Sequence, residues 1–108
     1  DDNILLWEVP GSCELVHAAK RMLDTTEVDA IIVIGCVIQG ETRHFDFVCQ
    51  GVTQGIAQLN AEQSEVPVIF CVLTDNTFQQ SLDRSGGKLG NKGVEAAITA
   101  IKMAVLGK

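Results

Sequence analysis

Basic residues are scarce in this chain: 8 Lys and Arg stand against 14 Asp and Glu, a formal net charge of -6 over 108 residues. A diffuse negative field repels nucleic acid and anionic membranes, so neither is expected as a partner. Cations gather only weakly, at Arg84, Lys88 and Lys92. No apolar run approaches the ~18 residues of a membrane helix, and no signal-peptide pattern is present. Cys13, Cys36, Cys49 and Cys71 form no CxxC pair and each sits in an apolar pattern. They are expected to be reduced and mostly buried small hydrophobes. His17 and His44 are the only nitrogen ligands on offer and lack finger spacing, so no metal site is expected. These absences suit a cytoplasmic, metal-free protein. The start, Asp1-Asp2-Asn3, has no initiator Met and enters an apolar run at once; the expectation is that the true N-terminus lies upstream.

Several catalytic signatures are missing too. There is no GxxxxGK[ST] and no GxGxxG after a strand. Pro10-Gly11-Ser12-Cys13 lacks the second glycine of a nucleophile elbow, and no Ser–His–Asp set is readable.

What is present is enough apolar residue, 46%, for one compact domain over residues 1–108. Residues 4–9 read as a strand closed by Pro10-Gly11. Ser12 is placed to cap a following helix, with Glu14 in its first turn. Leu15, Ala18, Ala19, Met22 and Leu23 make one apolar stripe on that helix. Residues 30–38 are almost unbroken apolar, β-branched sequence without polar alternation, which predicts a strand covered on both faces. The polar residues 39–43 predict a loop. Phe45, Val48, Cys49, Val52, Ile56 and Leu59 then recur at helical spacing, and Gly51 and Gly55 invite close approach. Residues 66–73 read as a strand with Pro67 near its start. Thr77 and Gln80 have capping-box spacing for a short helix carrying Phe78 and Leu82. A turn containing Gly86, Gly87, Gly90 and Gly93 precedes a last helix with Val94, Ala97, Ile98, Ile101 and Val105 as its stripe.

The order β-α-β-α-β-α-α predicts an α/β fold with a right-handed parallel sheet. Three strands alone leave exposed edges, so a further strand upstream or other subunits should cover them. Ligands in such sheets bind beyond the C-terminal strand ends, here residues 10–14, 39–44 and 74–77.

His44 stands after the polar loop at the start of a helix, where it can move protons near neutrality; a capping or surface histidine is the ordinary alternative. Gly40, Glu41 and Thr42 precede it, and amides entering a helix N-terminus favour anions. Glu41 opposes an anion unless its side chain points away. Arg84 can fork onto a phosphate or simply complete a helix macrodipole. His17 reads as a surface or interface residue, Trp7 as core or subunit packing rather than a ligand stack, and Asp46 and Glu95 as ordinary helical acids.

Four segments taken together resemble lumazine synthase. They are Val9-Pro10-Gly11-Ser12-Cys13-Glu14; Gly35-Cys36-Val37-Ile38-Gln39-Gly40-Glu41-Thr42-Arg43-His44-Phe45-Asp46; Val66-Pro67-Val68-Ile69-Phe70; and Asp83-Arg84-Ser85-Gly86-Gly87-Lys88-Leu89-Gly90-Asn91-Lys92-Gly93. They cover essentially the whole chain in order. The resemblance implies a flavodoxin-like three-layer α/β/α fold with a parallel sheet, whose first strand and helix lie before Asp1. It implies condensation of 5-amino-6-ribitylaminouracil with 3,4-dihydroxy-2-butanone 4-phosphate, a transferase step of riboflavin biosynthesis, with no cofactor. Ser12, Cys13 and Glu14 would hold the ribityl chain, and Val37 and Ile38 would flank the ring. Glu41 (through its backbone), Thr42 and Arg84 would hold phosphate. His44, helped by Glu95, would move protons, and Phe70 and Lys92 would reach a neighbouring subunit's site. Homopentamers or icosahedral capsids, with sites between subunits, are implied as well.

Gln39, Glu41 and Arg43 depart from the family, which usually has Arg, a small uncharged residue and Thr or another small residue there. They read as altered local charge around a retained site. The family's ring-stacking aromatic should precede Asp1, so this piece alone would hold half a ring pocket. The alternative reading is a catalytically weak shell protein of the same fold that binds flavin or lumazine. A receiver-like signalling module would need an acidic metal cluster at the strand ends, which the chain lacks.

Overall fold

In the computed structural model, which describes residues 3–108, a short 3-10 turn, Ser12–Glu14, runs directly into helix α1, Leu15–Thr25. Asp1 and Asp2, on which the expectation about the N-terminus rests, lie outside the described residues. Strand β1 (Ile31–Ile38), helix α2 (His44–Glu62), strand β2 (Val68–Asp75) and helix α3 (Phe78–Arg84) follow. A small antiparallel pair, β3 (Ser85–Gly87) and β4 (Gly90–Asn91), leads into helix α4, Lys92–Ala104.

β1 and β2 pair in parallel from Ile31↔Val68 to Ile38↔Asp75. This two-stranded sheet is the middle layer. On one side α1 and α2 bring Leu15, Ala19, Val48, Val52, Ile56 and Leu59 against Ile31, Val33, Val68 and Val72. On the other, Ala96 and Ala100 of α4 pack on Ile69 and Cys71. The fold is therefore α/β with a parallel sheet between helical layers. β2 is buried on both faces, which is why its sequence reads as continuous apolar residues.

The α2 stripe forms as its spacing predicts, since Val48, Val52, Ile56 and Leu59 are its buried residues. Gly55 is where close approach matters: a Cβ there would stand 2.6 Å from Val16 Cγ2. Gly51 needs no such allowance, because a Cβ there would meet nothing within 4 Å. The Thr77 capping box is complete, with Gln80 N–H donating to Thr77 Oγ1 at 3.2 Å and Thr77 N–H to Gln80 Oε1 at 3.2 Å.

Other expectations are corrected. Residues 4–9 are not a strand. Ile4, Leu5 and Leu6 are all more than half exposed, so no buried face sets a pairing register. Ser12 does not cap α1: the 3-10 turn absorbs it, and no side-chain cap bond forms at either helix start. Its hydroxyl lies against Gly35 instead. β1 is covered on one face only; Ile31 and Val33 are buried while Ile32, Ile34 and Ile38 are exposed. The second apolar strand begins at Val68 and runs to Asp75, shifted two residues toward the C-terminus at both ends from its predicted range of 66–73, because the ladder starts just after Ile31 N–H bonds Pro67 C=O.

The last helix buries Ala96 and Ala100 rather than its Val and Ile stripe, since small side chains let α4 lie close to β2. Val94, Ile98 and Ile101 face outward. The cysteines are unpaired, and only Cys71 is buried; Cys13 and Cys36 are exposed at the sheet's C-terminal end and Cys49 is intermediate.

Candidate active site

The C-terminal end of β1 opens into a cleft of ≈ 430 Å³. Its rim on one side is Gly11, Ser12, Cys13 and Glu14, held there by the 3-10 turn in which Glu14 N–H donates to Gly11 C=O at 3.2 Å. The other side is Cys36, Val37 and Ile38 at the end of β1, then Gly40, Thr42 and His44. Phe45 and Val48 of α2 complete an apolar floor. Such a volume, mostly apolar with a few convergent polar groups, suits a small organic ligand.

Gly35 makes the close packing of these two walls possible. A Cβ on it would lie 2.7 Å from Ser12 Oγ and 3.1 Å from Leu15 Cδ1. Across the cleft the Thr42 hydroxyl accepts a hydrogen bond from the His44 backbone N–H at 3.3 Å. A hydroxyl that accepts one bond keeps its own proton to donate. His44 opens the 19-residue α2 and is exposed, so the imidazole stands in the cleft where the first turn's N–H groups concentrate partial positive charge. An acid–base side chain, a hydroxyl donor and a helix N-terminus thus share one small space.

Of the sequence-predicted residues, Ser12, Cys13, Glu14, Val37, Ile38, Thr42 and His44 meet in this cleft. Glu41, Phe70, Arg84, Lys92 and Glu95 do not line it. Glu41 is exposed in the loop. Phe70 packs on the core between the sheet and α1 and α2. Lys92 and Glu95 start α4 on the opposite layer, where their charges act on Cys71; burial pushes that thiol up, Lys92 lowers it and Glu95 raises it. Arg84 Nη1 donates to Asp75 Oδ1 at 3.0 Å. A second hollow of ≈ 270 Å³, between Lys20, Asp24, Glu62 and Val66 at the far end of the helices, holds none of the candidate residues.

Sequence reasoning missed Asp75 and Ser81, both buried beside Arg84. Residues 74–77 read as a strand end where ligands bind, with no role for Asp75 within them; the ladder to Ile38 shows it as the last residue of the strand itself. Among the described residues no group of three His, Cys, Asp or Glu is arranged to hold a metal ion. No helix among them is long and apolar enough to cross a membrane.

The profile of the 6,7-dimethyl-8-ribityllumazine synthase family matches residues 1–108. The chain belongs to that family. It is 71% identical over 104 residues to the 6,7-dimethyl-8-ribityllumazine synthase of Flavobacterium johnsoniae, covering 96% of this chain and 54% of that protein. Against the enzyme of the same name from Christiangramia forsetii it is 64% identical over 108 residues, 99% of this chain and 64% of the other. The one from Bacteroides fragilis is 60% identical over 103 residues, 95% of this chain and 71% of the other. The chain therefore spans little more than half the length of the first of these lumazine synthases.

Proposed function

We propose that the protein to which this chain belongs condenses 5-amino-6-ribitylaminouracil with 3,4-dihydroxy-2-butanone 4-phosphate to 6,7-dimethyl-8-ribityllumazine, releasing phosphate and water. The observation that carries this reading is the meeting of Ser12–Glu14, Val37, Ile38, Thr42 and His44 in one cleft, in a member of that family.

In this reading Ser12, Cys13 and Glu14 hold the polyol chain by hydrogen bonds, and Val37 and Ile38 lie along the pyrimidine ring. Thr42, the Glu41 backbone and Arg84 hold the phosphate, because N–H groups at a helix start and a guanidinium are the donors that suit it. His44 takes and returns protons as the pyrimidine's amino group adds to the ketone, water leaves and phosphate is expelled; Glu95 assists. Holding two substrates in register is worth up to ~7–11 kcal/mol in favourable cases, and a proton shuttle adds ~10²–10⁴-fold.

Homo-oligomers with sites between subunits belong to the same reading. Arg84, Phe70 and Lys92 stand away from the cleft of their own chain, while Ile4, Leu6, Ile34, Ile98 and Ile101 leave wide apolar area bare. Large apolar side chains left exposed in such number suit a protein interface. A pentamer, closed by itself or built into an icosahedral shell, would cover it and bring a neighbour's Arg84, Phe70 and Lys92 to each cleft.

Mixing the full-length protein with both substrates and following lumazine absorbance tests the function. A rate no higher than the uncatalysed one overturns it. Tight lumazine or flavin binding without phosphate release would instead assign the weakly catalytic shell protein, the reading favoured by Gln39, Glu41 and Arg43.

A further inference from the structure

Asp75, the last residue of β2, is 8% exposed. Its Oδ1 accepts from Arg84 Nη1 at 3.0 Å and its Oδ2 from Ser81 Oγ at 2.9 Å. The Ser81 hydroxyl in turn accepts from the Cys36 thiol at 3.3 Å, which ties the group to β1. Asp75's backbone carbonyl accepts from Gln39 N–H at 3.0 Å, at the entrance to the loop that carries Thr42 and His44.

A buried carboxylate is costly unless charge-assisted hydrogen bonds satisfy it. Here it has both a cation and a hydroxyl, so its position is fixed from two sides. Arg84, by contrast, is 37% exposed on the side chain. Left free, so long a side chain would spread over many rotamers and lose that freedom again on meeting an anion. The bond to Asp75 engages Nη1, one end of a fork with five N–H donors, and leaves donors on its remaining edge to take an oxyanion.

We infer that Asp75 is a positioning residue for Arg84: it holds the guanidinium aimed at the substrate phosphate, and Ser81 in turn orients Asp75. This rests on the reading above that Arg84 holds that phosphate. Asp75 does not line the cleft, so its loss acts on phosphate binding through Arg84.

The test uses the full-length protein with Asp75→Asn, Asp75→Ala, Arg84→Ala and the double variant Asp75→Ala/Arg84→Ala. KM for each substrate and the inhibition constant of inorganic phosphate are measured. Asp75→Ala should raise the KM of the phosphorylated ketone and the phosphate inhibition constant about tenfold, as for a lost charge-assisted contact. The KM of the pyrimidine should stay unchanged. Asp75→Asn, which keeps a neutral acceptor of the same shape, should fall between, and it carries the comparison if the alanine variant fails to fold. Asp75→Ala should add nothing once Arg84 is alanine, the non-additivity expected of two residues acting as a unit.

Unchanged or tighter phosphate binding in the Asp75 variants, or losses that add in the double variant, would overturn the inference. An Arg84→Ala protein with wild-type phosphate inhibition would instead overturn the role given to Arg84.

Discussion

Gly35 and Ser12 are packed so closely that a Cβ on the glycine would lie 2.7 Å from the serine hydroxyl. The contact joins β1 to the 3-10 turn and sets the width of the cleft. Gly35→Ala should therefore turn Ser12 away, costing about 1 kcal/mol of stability. The KM of the ribityl-bearing pyrimidine should rise severalfold more than that of the phosphorylated ketone. Substrate-resolved kinetics beside denaturant unfolding checks both parts.

Gly55 makes the corresponding contact between helices. A Cβ there would meet Val16 Cγ2 at 2.6 Å and Cγ1 at 3.0 Å. Gly55→Ala should destabilise by about 1–3 kcal/mol, the usual range for overpacking. Val16→Ala in the same chain should recover most of the loss, so urea midpoints of the two single variants and the double variant should be non-additive.

The α2 stripe and the Thr77 capping box were legible in the sequence because their partners lie within this chain. Residues 4–9 and the stripe Val94, Ile98 and Ile101 were misread for the opposite reason. Apolar spacing reports burial wherever it occurs, and these residues find no cover within one chain. Half the candidate site was legible from the loop after β1, since polar residues must follow a buried strand and His44 starts the helix. Asp75 and Ser81 were not. Their meaning lies in a hydrogen-bond network linking β1, β2 and α3, which no local spacing reveals.

Asn60 docks the start of β2 by acting as a surrogate peptide. Its Nδ2 donates to Val68 C=O at 2.9 Å and its Oδ1 accepts from Val68 N–H at 2.9 Å. Asn60→Ala strands both groups of a buried residue and should cost about 1–3 kcal/mol. Asn60→Asp, which sets a carboxylate oxygen against the Val68 carbonyl, should lose at least as much. Thermal unfolding of the two variants ranks them.

Cys71 gives the fold a pH dependence of definite sign. Burial pushes its thiol up, Lys92 partly opposes this and Glu95 adds to it. A folded pKa above the unfolded one means the native state keeps its proton longer. That stabilisation is full below the unfolded thiol value, about 8.5, and is lost as pH rises through the folded value. Stability should therefore fall on the alkaline side, and Cys71→Ala should flatten that slope in unfolding measured from pH 8 upward, roughly the range where a thiol begins to ionise.

His44 is exposed, so its removal should leave fold and assembly intact. His44→Ala should lower kcat by about 10²–10⁴, the range of a lost general acid–base group. Sedimentation or light scattering should show the particle size of the parent protein.

The most direct measurement is simultaneous detection of lumazine absorbance and released phosphate when the full-length protein meets both substrates. The account predicts that the two rise together in equal amounts, well above the uncatalysed rate, and that His44→Ala slows both alike. Lumazine bound without phosphate release, or turnover indifferent to His44, would contradict it.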